Sequence, residues 1–277
     1  MEEALGCKPG GLIPRPPGAI FGFEMAGPTT AQLLESVHTA HRPWPCPRRP
    51  WILAMGWHDL AFLHWRVDPG FLAAQLPAPL ELDTFHGEAW LGVVPFRMSG
   101  VRPRLTPALP GLSRFPEINL RTYVTAEGKP GVWFFSLDVP GRLAVWGART
   151  FFHLPYFRAR VSCERSGDEI HYVHERPSGP AFEATYAPSG PVRKSEPGSL
   201  DHWLSERYCL YSADGRGRVF RGDVQHVPWP LQPADVEIRR NTFAEHLGLA
   251  PFEGAPVAHF AADLQVVGWG LERVGPR

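Results

Sequence analysis

From Trp51 to Gly268 the chain reads as about ten short runs rich in Val, Leu, Phe, Trp and Tyr, parted by turns that carry Gly or Pro. That many strands against three or four short helical segments predicts an α+β chain that is mainly antiparallel β. So many strands rarely persist as one flat open sheet, so the sheet is expected to curl or close. Strands are expected at 51–57 and 61–67, with a break near His58-Asp59. Hairpins are expected at 80–85 with 88–98, at 118–125 with 132–137, and at 156–164 with 169–175. Further strands fit 181–187, 208–213, 217–226 and 256–269. Asp68 and Pro69 have the chemistry of an N-cap and first helical residue, 141–152 has helical apolar spacing, and Ser199 can cap a helix through Arg207.

Glycine and proline also mark the N-terminal part. Residues 1–28 hold eleven Gly or Pro and little periodicity. Residues 1–44 are read as a disordered Pro/Gly-rich extension with room for a short helix at 29–38, and 45–272 as one domain. Met25 is an alternative start. The sequence contains no internal repeat and no sign of a second domain.

Composition narrows the function classes. Lys+Arg and Asp+Glu are both 28 in 277 residues, so nothing global draws the chain to nucleic acid or to an anionic membrane. No run of 18 apolar residues exists, and the first residues lack a basic region followed by an apolar core. Cys7, Cys46, Cys163 and Cys209 form no CxxC pair, which suits free thiols and a cytoplasmic protein. A Gly-x-Ser-x-Gly elbow and a P-loop are both missing. Trp and Phe sit in apolar runs without basic interleaving, which suits core packing better than base stacking. His58-Asp59 and His64 offer two imidazoles and a carboxylate, but no third ligand is spaced to join the two histidines, so neither metal nor cofactor is expected.

Two stretches carry polar chemistry. In Phe115-Pro116-Glu117-Ile118-Asn119-Leu120-Arg121, period two puts Glu117, Asn119 and Arg121 on one strand face. That face looks either to solvent or, in a closed sheet, to a pocket. There Glu117 could exchange protons and Arg121 could clamp a carboxylate. Arg97, at the end of an apolar run, points into the same pocket or caps a sheet edge. The second stretch, "ARTFFHLPYFRARV" (148–161), crowds aromatic residues around His153 and Pro155.

The motifs "WHDLAFLHW" (57–65), "LELDTFHGEAWLGVVPFRMSGVRPR" (80–104), "FPEINLRTYV" (115–124), "GVWFFSLD" (131–138), "FFHLPYFRA" (151–159) and "VQHVPWPL" (224–231) resemble the bacterial DUF2071, or YqjF-like, family. The resemblance covers roughly 45–270. It implies an acetoacetate decarboxylase-like fold, a curved antiparallel barrel with a central pocket and a few short peripheral helices. In the decarboxylase a Schiff-base lysine and a second lysine that lowers its pKa follow a proline. Here Pro155 is kept, but Tyr156 and Phe157 stand in their places. Lysine occurs only at Lys8, Lys129 and Lys194. Schiff-base decarboxylation is therefore not expected.

By the same resemblance, Glu117 matches a Pro-Glu motif whose acid lies in the site, and Arg149 matches an arginine of the decarboxylase motif. Arg149 could equally serve a structural ion pair. The expected site thus has Glu117, Tyr156 and His153 as proton-handling groups, with Arg121, Asn119, Arg97 and Arg149 holding a small organic acid or carbonyl compound. The alternative is a ligand-sensing or interaction module on the same barrel, without catalysis. No nucleic-acid or membrane partner is expected.

Overall fold

The computed structural model describes residues 29–275. After a 3-10 turn at Gln32–Leu34 and a short helix α1 (Ser36–Thr39), the chain enters β1 (Leu53–Val67), α2 (Pro69–Ala74), β2 (Glu81–Leu82), β3 (Ala89–Pro103), β4 (Phe115–Ala126) and β5 (Lys129–Val139). Then follow α3 (Arg142–Phe152), β6 (Tyr156–Arg158), β7 (Arg160–Ser166), β8 (Glu169–Glu175), β9 (Ala181–Pro188) and α4 (Leu200–Ser205). The last elements are β10 (Cys209–Ala213), β11 (Val219–Gln225), β12 (Gln232–Asn241), α5 (Phe243–His246), β13 (Val257–Gly268) and β14 (Glu272–Arg273).

The sheet closes. Its path runs β11–β10–β5–β4–β3–β1–β13, and β13 returns to β11 through Val224 opposite Gly268 and Gln225 opposite Val267. These strands make a ring, antiparallel except where β10 meets β5. A second antiparallel layer, β7–β8–β9–β12, joins it where Gln232 and Pro233 pair with Phe260 and His259. Leu63, Leu91, Val93, Ile118 and Leu120 of the ring pack against Ile170, Tyr172, Phe182, Ala184 and Tyr186 of that layer. The opposite, inner face carries Phe62, Val94, Phe96, Trp229 and Leu264.

Local chemistry explains several elements. The Asp68 carboxylate accepts from the Phe71 amide (2.7 Å), with Pro69 opening α2. The Ser199 hydroxyl accepts from the His202 amide (3.2 Å) at α4. Glu127 and Gly128 turn β4 into β5 with φ of 52° and 70°, a tighter turn than the five residues expected, so Pro130 and Gly131 lie within the strand. One expected strand break is a bulge. Between His58 opposite Arg97 and Leu63 opposite Val93, five steps of β1 answer four of β3, and Asp59 takes φ 50°. Met55 and Trp57 before it and Leu60 and Phe62 after it share one core, so the inward set changes from odd to even numbers.

Three expectations change. β2 pairs with β4 rather than with β3, although Phe85 and Glu88 still bridge the turn. The run 156–164 is two strands: β6 lies parallel to β5 as the end of a crossover through α3, and β7 turns to β8. β12 is an additional strand whose Pro233 and charged residues masked its alternation; Ala234, Val236 and Ile238 face the core. The extension also divides. Residues 1–28 lie outside the described residues. Within 29–44, Leu33 is buried, His41 meets the His226 carbonyl (3.0 Å), and Trp44 donates to Asp223 (2.9 Å). This part packs on the ring, so the globular unit begins ahead of residue 45.

Candidate functional site

β4 is buried on both faces, and the two faces differ in kind. Ile118 and Leu120 face the second layer, while Glu117, Asn119, Arg121 and Tyr123 point the other way, into the ring. Glu117 lies opposite Phe96, and its Oε2 accepts from the Tyr156 hydroxyl (2.8 Å). Burial pushes its carboxyl up to about 8, and the nearby Asp138 charge adds to this while the tyrosine bond opposes it. At neutral pH Glu117 therefore holds a proton. Tyr156 is pushed well above the ordinary phenol range by burial and then by Glu117.

Arg121 is prepared by its neighbours across the sheet. His64, Gly92 and Arg121 form a row over β1, β3 and β4. A Cβ on Gly92 would meet the His64 ring at 2.9 Å, so only glycine leaves room for the imidazole. The Arg121 guanidinium lies 5.0 Å from the Phe62 ring centre and donates to the Leu204 carbonyl (3.2 Å) and the Tyr123 hydroxyl (3.4 Å). Its Nε has no partner, and no carboxylate of the described residues lies in ion-pair range. Asn119 Oδ1, two residues away on the same face, is likewise unpartnered. Both side chains are buried: Asn119 is 5% and Arg121 9% exposed.

His64 and Tyr123 complete the inner group and were not among the residues selected from the sequence. The Tyr123 hydroxyl donates to the Leu204 carbonyl (2.7 Å) and lies 2.7 Å from His64 Nε2. His64 Nδ1 has no partner among the described residues. Burial, reinforced by the Arg121 charge, keeps the His64 imidazole well below its ordinary pKa, hence neutral. The only signal for His64 in the sequence was its even spacing from Phe62; for Tyr123 it was the continued alternation 117, 119, 121, 123.

The remaining expected residues lie elsewhere. Arg97 is on the opposite face, where it grips Asp59 Oδ2 through Nη2 (2.5 Å) and Nε (3.2 Å); Arg165 holds the other oxygen (2.7 Å). Neither the pocket nor the simple edge cap describes it. His153 ends α3 in a left-handed conformation (φ 50°), its ring 5.1 Å from that of Phe220. Arg149 donates to the Tyr156 carbonyl (2.7 Å) and lies over Phe157. Together His153 and Arg149 line an open cavity of about 430 Å³ with Trp133, Phe134, Leu154 and Pro155. Phe134 pairs with Arg121 along the sheet, and Pro155 precedes Tyr156, so the cavity and the inner group share a wall. His58 bonds Asp263 (2.7 Å) and Ser99 (2.5 Å) on the far side of the bulge from His64. Among the described residues no cluster of ligating side chains could hold a metal. Lys194 is exposed, and the Lys129 ammonium lies over the Trp44 ring.

The likenesses to known proteins agree with this architecture. MppR, an enduracididine biosynthesis enzyme solved in complex with pyruvate, superposes with a TM-score of 0.59 at 14% identity over 84% of this chain and 93% of that one. An acetoacetate decarboxylase-like enzyme from Sphingomonas wittichii RW1 gives 0.57 at 16% identity over 82% and 94%. The acetoacetate decarboxylase of Legionella pneumophila gives 0.54 at 17% over 87% and 96%. These establish the fold. In sequence, the uncharacterized protein YqjF of Bacillus subtilis (strain 168) is 47% identical over 225 residues, which is 80% of this chain and 93% of that protein. The family model DUF2071, described as an uncharacterized conserved protein, matches residues 54–265. The chain therefore belongs to the DUF2071 family, on an acetoacetate decarboxylase-like fold.

Proposed function

We propose that the ring interior binds a small organic acid or carbonyl compound, with Arg121 taking its anionic group. The supporting observation is a buried guanidinium with no anion: buried charges are normally paired, and a ligand carboxylate supplies the missing partner. Asn119 Oδ1 offers an acceptor beside it. Glu117 and Tyr156 present a carboxyl that keeps its proton at neutral pH, which suits donation to a carbonyl oxygen. An imine is not part of this chemistry, because Tyr156 and Phe157 stand where the fold's decarboxylase has lysines. Binding of pyruvate by the structural neighbour MppR fits the same ligand class. The Arg149–His153 cavity is the entrance this reading requires.

A second reading, a sensing module without catalysis, draws on the stacked Trp57 and Trp229 rings (5.6 Å) and the adjoining Phe62 and Phe96, which fill much of the interior.

The test is a thermal-shift panel of oxo acids, hydroxy acids and aldehydes on the full chain, with Arg121→Ala and Arg97→Ala alongside. A ligand that binds only the folded state raises stability by about 2.7 kcal/mol at a hundred times its Kd. A shift kept in Arg97→Ala and lost in Arg121→Ala is the expected result. A panel with no shift, or a shift equal in all three proteins, removes the interior site. Turnover of a compound that binds separates the enzyme from the sensor.

A further inference from the structure

Most of the large apolar side chains exposed among the described residues stand on two segments. Leu105, Leu109 and Leu112 lie on the loop from β3 to β4, and Leu143, Trp146 and Phe151 lie on α3. Both segments leave the ring at one rim, since β4 begins where β3 and β5 end. Phe115, at the start of β4, and Val145, on α3, share one apolar cluster.

α3 is apolar on two sides. Ala144, Val145, Ala148 and Phe152 face that cluster. At 100° per residue Leu143 and Trp146 lie away from that face and Phe151 at its edge beside Ala144, with Trp146 60% and Phe151 63% exposed and their rings 5.7 Å apart. Arg142, Arg149 and Thr150 share the exposed surface of α3 with these side chains, and exposed apolar residues gathered in this way mark a contact surface. Leu105 projects similarly: it is 93% exposed and held at φ 65°, a region that leucine avoids.

Charge says what the occupant is. The chain is neutral as a whole, yet 99–116 and 140–163 contain no Asp or Glu. Among the described residues, Arg104, Arg114, Arg142 and Arg158 of these segments have no ion-pair partner. Among the described residues only Arg160 is neutralised there, by Glu175 (2.7 Å), and Asp214, beside the Arg149 cavity, is held by Arg218. Two copies of such a face would oppose like charges. Scattered protruding apolar residues also form no groove for a folded partner, whereas a fluid surface accepts each one separately, with tryptophan and arginine at the depth they favour.

We propose that this rim, the β3–β4 loop together with α3, docks on an anionic lipid surface. Apolar side chains insert at the headgroup boundary, and the unpaired arginines meet lipid phosphate and carboxylate groups. The apparent conflict with the chain's zero net charge disappears because the charges are segregated.

Co-sedimentation of the full chain with vesicles of phosphatidylcholine and phosphatidylserine, against phosphatidylcholine alone, tests this. Binding to the anionic vesicles alone, weakened by salt, is expected. Trp146→Ser with Phe151→Ser, and separately Arg142→Glu with Arg158→Glu, should each lower that partition at least about tenfold at an unchanged melting temperature. Should either pair melt lower, Leu105→Ser decides, since it removes a side chain already in solvent. Failure to bind anionic vesicles, or equal binding to both kinds, overturns the proposal. So does a homodimer in light scattering that Trp146→Ser with Phe151→Ser converts to monomer, because the face is then an interface between copies.

Discussion

Two buried polar groups flank the β4–β5 hairpin, one on each face, and they are finished to different degrees. On the outer face Asp138, fully buried, accepts from Arg176 through both oxygens (2.8 and 2.6 Å) and lies 2.6 Å from His174 Nε2. Arg176 continues to His246 (3.2 Å) and stacks on Phe157 at 4.0 Å. One carboxylate thus ties β5 of the ring to the loop after β8 and to α5. On the inner face, by contrast, Arg121 has no anion among the described residues, Asn119 Oδ1 and His64 Nδ1 have no partner there, and Glu117 keeps its proton. The outer group also leaves one atom, His174 Nδ1, without a partner among the described residues, but its carboxylate and guanidinium are paired; the inner group leaves its guanidinium unpaired, which is the gap the proposed ligand would fill.

The largest expected effect breaks the closed group. Asp138→Ala leaves the Arg176 guanidinium buried without its carboxylate and should cost about 3–5 kcal/mol of stability, read by denaturant unfolding at constant m-value. Arg121→Ala, which removes an unpaired charge from the open group, should cost clearly less by the same measurement. If the two losses are equal, the contrast between the faces fails.

A smaller effect sharpens the contrast through pH. The Glu117 carboxyl is near 8 in the folded chain and near 4.5 when exposed. Between these values the folded state binds the extra proton, so stability falls as pH rises, by an amount on the order of a few kcal/mol across the window. Glu117→Gln should flatten that slope and be the more stable protein at pH 9, with little difference at pH 5. Equal pH slopes in the two proteins would mean that Glu117 is ionised at neutral pH.

The smallest effect is that of Tyr156→Phe. It removes one hydrogen bond, worth about 1 kcal/mol. Because that bond stabilises the carboxylate, its loss should move the Glu117 transition to higher pH, again read from stability against pH.

Much of the fold was legible because strand alternation, turn residues and caps are local: the β4–β5 and β7–β8 hairpins, α3, and the Asp68 and Ser199 caps follow from chemistry within a few residues. The alternation of Glu117, Asn119 and Arg121 put those three on one face with no other information. It did not say which face was inside. Arg97 carries the same kind of sequence signal as Arg121 and stands on the other side of the sheet, on Asp59. A one-residue bulge at that aspartate reverses the inward set of β1, and so brings His64 to Arg121 while sending His58 to Asp263. No periodicity in the sequence records such a slip.

By itself, then, the sequence determined the kinds of element, their order, and the absence of a nucleophilic lysine beside Pro155. Tertiary structure alone decided which buried charges are paired, that residues 29–44 lie on the ring, and that arginines balanced in the total are unbalanced at one rim. The reason is physical: secondary structure reports neighbours along the chain, whereas pairing, desolvation and surface charge depend on neighbours in space.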